Sequence, residues 1–125
     1  MRALRRFLDR LRRFLDRLVQ TDEDRLAEEL REWAATVPGT VRIADAPTRQ
    51  RAKLAGMVRR ITVRPIEGFE ALEIVLDDGT GEVSARWLGR RSIPGLVLGS
   101  RLVIDGVLGE DHEVRRMVNP TFEFV

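Results

Sequence analysis

Residues 53–64 read Lys-Leu-Ala-Gly-Met-Val-Arg-Arg-Ile-Thr-Val-Arg. Successive side chains of a strand point to opposite faces, so Leu54, Gly56 and Val58 share one side of an extended chain. The pair Arg59-Arg60 breaks the alternation, and Ile61 and Val63 resume the apolar set one residue out of phase. One supernumerary residue in a long strand marks a β-bulge, which bends the strand and sharpens its twist. A first strand bent in its middle is what closure of a small barrel requires.

The same period of two continues to the end of the chain. After a loop at Pro65–Gly68, Leu72, Ile74 and Leu76 alternate in a second strand, Ala71–Leu76. Asp77-Asp78-Gly79-Thr80-Gly81 has turn chemistry, with short carboxylates that cap their own backbone and glycines free to adopt positive φ. A third strand, Glu82–Leu88, turns Val83, Ala85 and Trp87 to one side. Ile93–Gly99 connect across to a fourth strand, Arg101–Leu108, with Leu102 and Ile104 inward. Gly109–Glu113 forms a hairpin tip before a fifth strand, Val114–Val118, and Asn119-Pro120 punctuates the chain ahead of Phe122 and Phe124. Five strands, a long bent first strand and a connector between the third and fourth make the pattern of an OB-fold barrel.

Upstream the period changes. Arg-Arg-Phe-Leu-Asp-Arg-Leu occurs at 5–11 and again at 12–18. Leu4, Leu11 and Leu18, with Phe7 and Phe14 three further on and Leu8 and Leu15 beside them, form the apolar stripe of an amphipathic helix with a basic polar face. Two heptads are short for a free-standing coiled coil, so the plainest expectation is that the stripe packs on another helix or on the barrel. Thr21 has the spacing of a helix cap with Asp24. A second helical run, with Leu26, Leu30, Trp33 and Val37 on one face, ends at Pro38-Gly39. The expected fold is therefore mainly β: a five-stranded OB-fold barrel over 52–125, preceded by one or two N-terminal α-helices over 1–39. A connector spans 40–51, with a short extended piece near Val41–Ile43.

The 125 residues carry a net charge of +2 and no cysteine, which excludes disulfides, thiolate nucleophiles and Cys-ligated metals. Charge is unevenly spread: residues 1–20 hold seven Arg against two Asp, whereas residues 52–125 hold ten basic and eleven acidic groups. His112 is the sole histidine and sits in an acidic turn, which provides no metal-ligand set. Ser84, Ser92 and Ser100 have no identifiable base, and no Gly-x-x-x-x-Gly-Lys-Ser/Thr phosphate loop is present. No catalytic residue, metal site or cofactor is expected, and the chain is not expected to be an enzyme.

The second half resembles OB-fold nucleic-acid-binding domains. It is similar to short actinobacterial OB-fold proteins and to the wedge domain of RecG-type branched-DNA helicases. The resemblance rests on Gly56-Met57-Val58, on Leu76-Asp77-Asp78-Gly79-Thr80-Gly81 leading into Val83, and on Trp87-Leu88-Gly89. It continues through Ile93-Pro94-Gly95, Gly106-Val107-Leu108-Gly109 and Met117-Val118-Asn119-Pro120-Thr121-Phe122. Asn119 stands where the wedge usually has His. The resemblance implies binding of single-stranded or branched DNA, or of RNA, without ATP-driven work.

Such barrels bind nucleic acid on the face of strands two and three, using basic groups for phosphates and aromatics for stacking. The candidates are Arg59, Arg60 and Arg64 on the first strand, Arg86, Arg90 and Arg91 at the end of the third, and Arg115 and Arg116 on the fifth. Phe69, in the first loop, is the exposed stacking candidate. Trp87 matches an aromatic position of the wedge family, although alternation turns it to the core. Arg86 alternates onto the binding face, where Glu73 competes for it as an ion-pair partner. The expected function is a non-catalytic module contacting nucleic acid mainly through Arg–phosphate pairs. The alternative is an assembly module, in which residues 4–18 self-associate or hold a protein partner. A cytoplasmic location is expected, and a membrane partner is not.

Overall fold

The computed structural model describes residues 1–125. One helix, α1 (Arg2–Thr36), and a short 3-10 turn at Ile43–Asp45 precede the strands. These are β1 (Arg51–Ile66), β2 (Phe69–Asp77), β3 (Glu82–Leu88), β4 (Arg101–Asp111), β5 (Val114–Val118) and β6 (Thr121–Phe124).

β1 serves two partners. Its first half pairs antiparallel with β4 from Arg51 opposite Val107 to Met57 opposite Arg101. Its second half pairs with β2 from Met57 opposite Asp77 to Ile66 opposite Phe69. The register slips between Val58 and Arg60, so Arg59 is the extra residue of the bulge. Val58 hydrogen-bonds to the crossover instead: its N–H donates to Ser100 O, and Gly99 N–H donates to its carbonyl, each at 2.8 Å. From there β2 pairs with β3, β3 runs parallel to β5, β5 pairs with β4, and β4 returns to β1. That ring of five is the expected barrel. Leu54, Ile74, Leu76, Leu102, Ile104 and Leu108 fill it, all at 0% exposure.

Four expectations are corrected. The chain after Val118 forms a sixth strand: Asn119, with φ of 52°, and Pro120 interrupt the course, and β6 resumes along β4 with Phe122 opposite Ile104. The hairpin tip is only His112-Glu113, both with positive φ, as a two-residue turn demands; Gly109 to Asp111 belong to β4. Phe69 begins β2 rather than lying in a loop, because the first hairpin closes over Glu67-Gly68 alone.

The fourth correction concerns the N-terminal apolar stripe, which packs neither on a second helix nor on the barrel. Of the one or two helices expected there, residues 2–36 form one, unbroken. No Pro or Gly interrupts it, and the Thr21 hydroxyl donates back to Arg17 O at 2.8 Å instead of capping a new start. Only the C-terminal part of α1 meets the barrel, where Leu30 is fully buried. The apolar stripe of residues 4–18 packs on nothing, with Phe7 61% and Phe14 58% exposed. No helix is long and apolar enough to cross a membrane.

The connector is tied down by side chains. Val41 N–H donates to Lys53 O at 3.0 Å, Arg42 continues with extended backbone, and Ile43 enters the core as the first residue of the 3-10 turn. Asp78 fixes this join. Its Oδ2 accepts Ile43 N–H at 2.9 Å, and its Oδ1 accepts Thr80 N–H at 2.8 Å and the Thr80 hydroxyl at 2.6 Å.

Candidate nucleic-acid interface

Pairing register settles which side chains share the outer face. Phe69, Ala71, Glu73 and Val75 alternate on β2, opposite Ser84, Arg86 and Leu88 on β3. Arg64 and Arg60 of β1 lie on the same face, and Arg116 of β5 pairs beside Ser84. At the centre sits Glu73, a carboxylate only 7% exposed.

Three guanidiniums surround it. Arg86 donates to Glu73 Oε2 from Nη2 at 2.8 Å and from Nε at 3.2 Å. Arg64 Nε stands 3.0 Å from the same oxygen, and Arg116 Nη2 is 3.7 Å from Oε1. The Ser84 hydroxyl donates to Oε1 at 2.9 Å. Burial pushes the Glu73 carboxyl up, but the hydrogen bonds from Arg86 and Ser84 and the charges of Arg86 and Arg64 outweigh it. The group therefore titrates below its ordinary value. Three cations around one anion leave this patch positive. Arg116 is further drawn to Asp111, with Nη1 3.4 Å from Oδ2, while its buried Nε has no partner.

The other candidates fall in three places. Phe69, 45% exposed, stands at the end of the same face, whereas Arg91 pairs at 2.7 Å with Glu70, which alternates to the other side of β2. Arg59 and Arg60 are exposed at the bulge, without an acidic partner in ion-pair range. Arg90 lies 6.0 Å from the Phe122 ring centroid, away from the Glu73 cluster. Two candidates serve the barrel itself. Trp87 is buried at 5% exposure; its Nε1 donates to Pro120 O at 2.9 Å, and Phe122 packs edge-on at 5.5 Å. The Arg115 guanidinium donates to the carbonyls of Ile43 and Ala46 and so clamps the connector. Sequence reasoning treated Ser84 only as a failed nucleophile. Its alternation with Arg86 on β3 was the available sign that it faces Glu73.

Asn119 also has a defined role. Its Oδ1 accepts Leu88 N–H at 2.9 Å, and its own N–H donates to Arg86 O at 2.7 Å. Asn is among the few residues that tolerate its left-handed backbone. The crossing from β5 to β6 is thus pinned to the edge of β3.

No family model and no curated protein matches the chain. Solved structures do. One is RecG bound to a three-way DNA junction, at a TM-score of 0.59 and 13% identity. That match covers 67% of this chain but only 12% of the RecG chain, so the chain spans a small part of that protein's length. Another is a Replication Protein A heterotrimer bound to single-stranded DNA, at a TM-score of 0.49 and 16% identity, covering 71% of this chain and 67% of that one. The strand order, the bulged first strand and the likeness to the RecG structure agree: residues 51–124 form an OB-fold barrel.

Proposed function

We propose that the chain is a non-catalytic nucleic-acid-binding module that uses the outer face of β1, β2 and β3. The observation that carries this reading is the cluster of Arg64, Arg86 and Arg116 around buried Glu73, with Phe69 exposed on the same face. Glu73 holds the guanidiniums in place, and the positive excess attracts phosphates. Arg64, with its side chain 55% exposed, has the most surface left to offer. Arg60 extends the track along β1, Arg91 adds an exposed cation on the crossover beyond β3, and Phe69 offers a ring to a splayed base. The RecG structure, a similar barrel seen with a DNA junction, supports the reading.

Fluorescence anisotropy at low salt, with single-stranded, duplex and branched DNA and with RNA, tests it. Binding should weaken steeply with salt, because phosphate contacts release counterions. Replacing Arg60, Arg64 or Arg91 by Gln should each lower the salt slope by about one. These side chains are exposed, so the barrel keeps its stability. Absence of binding to all four probes at low salt would sink the proposal.

A further inference from the structure

Residues 2–25 of α1 are exposed throughout, and Leu26 and Ala27 are the first to be partly covered by the barrel. The free part is roughly 36 Å long at the rise of an α-helix. Its Leu and Phe side chains gather in a stripe roughly 120° wide. On the same wheel, the residues that meet the barrel spread from Trp33 and Leu26, roughly 40° and 60° from the centre of the stripe, to Leu30 and Ala27, roughly 100° and 160° from it. The barrel side is thus turned partly aside from the stripe, and the stripe lies on the part of α1 that is exposed throughout, where a surface can reach it.

The charges around the stripe decide what kind of surface. Arg5 and Arg12 border one edge, Arg10 and Arg17 the other, and Asp9 and Asp16 sit with Arg2, Arg6 and Arg13 on the opposite side of the helix. A second copy of this helix would cover the apolar stripe but bring arginine edges against arginine edges, and like charges across a helix pair are repulsive. A nucleic acid would satisfy the arginines but leave Leu11, Phe7 and Phe14 in water. An anionic bilayer interface satisfies both sets at once. The stripe enters the acyl boundary, the flanking guanidiniums lie at the phosphates, and the aspartates point to water. Beyond Gln20 the helix turns acidic, with six carboxylates against two arginines over residues 21–36, so only its first part favours such a surface.

We infer that residues 2–19 are an in-plane anchor for an anionic phospholipid surface, with the barrel held on the solvent side. This is independent of the nucleic-acid reading, since it uses none of the residues around Glu73.

Co-sedimentation of the full chain with vesicles tests the inference. The chain should bind mixed phosphatidylglycerol–phosphatidylcholine vesicles, release from them as salt rises, and ignore phosphatidylcholine alone. The double substitution Phe7→Gln/Phe14→Gln should weaken binding by about a hundredfold or more, the transfer of two rings. It should leave the thermal unfolding of the barrel unchanged. A Leu11→Trp variant should show a blue-shifted tryptophan emission on the mixed vesicles. Three results would overturn the inference: no binding to the mixed vesicles; binding that survives the double substitution, which would make it purely Coulombic; or a concentration-dependent dimer, in sedimentation velocity, that the double substitution abolishes while vesicles are ignored.

Discussion

The Ala27 carbonyl of α1 lies directly over Gly79 of the β2–β3 turn, so close that a β-carbon on Gly79 would fall 2.0 Å from that oxygen. Arg31 closes the same contact by donating from Nη1 to Gly79 O at 2.9 Å. Gly79 also has φ of 84°, a region that strains any side chain. Two independent demands thus fall on one glycine, and together they dock the helix.

Gly79→Ala should accordingly push α1 off the barrel. The cost should be about 2 kcal/mol or more, combining backbone strain with lost packing. Urea unfolding measures it. The half-buried Trp33, now stacked 4.7 Å under the Arg101 guanidinium, should become more exposed and shift its emission to the red.

Glu73→Gln should reveal an acid-dependent share of stability. The folded carboxyl titrates below its ordinary value, so its contribution is fully present above the unfolded value. It is lost as pH falls through the folded one. The variant should therefore be less stable than the parent near neutral pH, and the two should converge at the acid end. Thermal melts across the acid range check this; a constant gap at every pH would contradict it.

Asp78→Ala should cost about 2–4 kcal/mol, because it leaves the Ile43 and Thr80 donors unpaired at a buried join. Amide hydrogen exchange should locate the damage. Protection should fall first across residues 41–46 and 78–81, with the β1–β4 ladder the last to open.

Trypsin under native conditions should cut first among the arginines between Arg2 and Arg25, where the helix is exposed throughout and local opening costs little. Mass spectrometry should find a persistent fragment starting at Leu18 or Leu26. Early cleavage after Lys53 or Arg59 would show that the barrel, not the helix, is the weak part.

The barrel was legible because its signals are local. A broken alternation at Arg59 and a glycine-rich turn after Leu76 each fix the chain within a few residues, and both stand where expected. The unbroken helix was less so. Thr21 reads as a cap, yet its hydroxyl can bond to Arg17 O inside a helix, and no residue between Arg2 and Thr36 forbids continuity. The Arg86–Glu73 pair was visible as an opposed charge, but the approach of Arg64 depends on the register after the bulge, and that of Arg116 on the parallel pairing of β3 with β5 that helps close the ring. The burial of Arg115 against the connector is no more local, since it joins residues 72 and 69 positions apart in the chain.

The interruption at Asn119-Pro120 has a consequence for synthesis. The last two strands seal the open sides of both β3 and β4, and β4 cannot be flanked on that side by anything made earlier. On the ribosome, then, a nascent chain ending near residue 110 carries two unpaired strand edges and the Leu-rich interior of an open sheet. Closure waits for a dozen late residues, and until they emerge the unfinished sheet is a target for chaperones and for its neighbours on the same message.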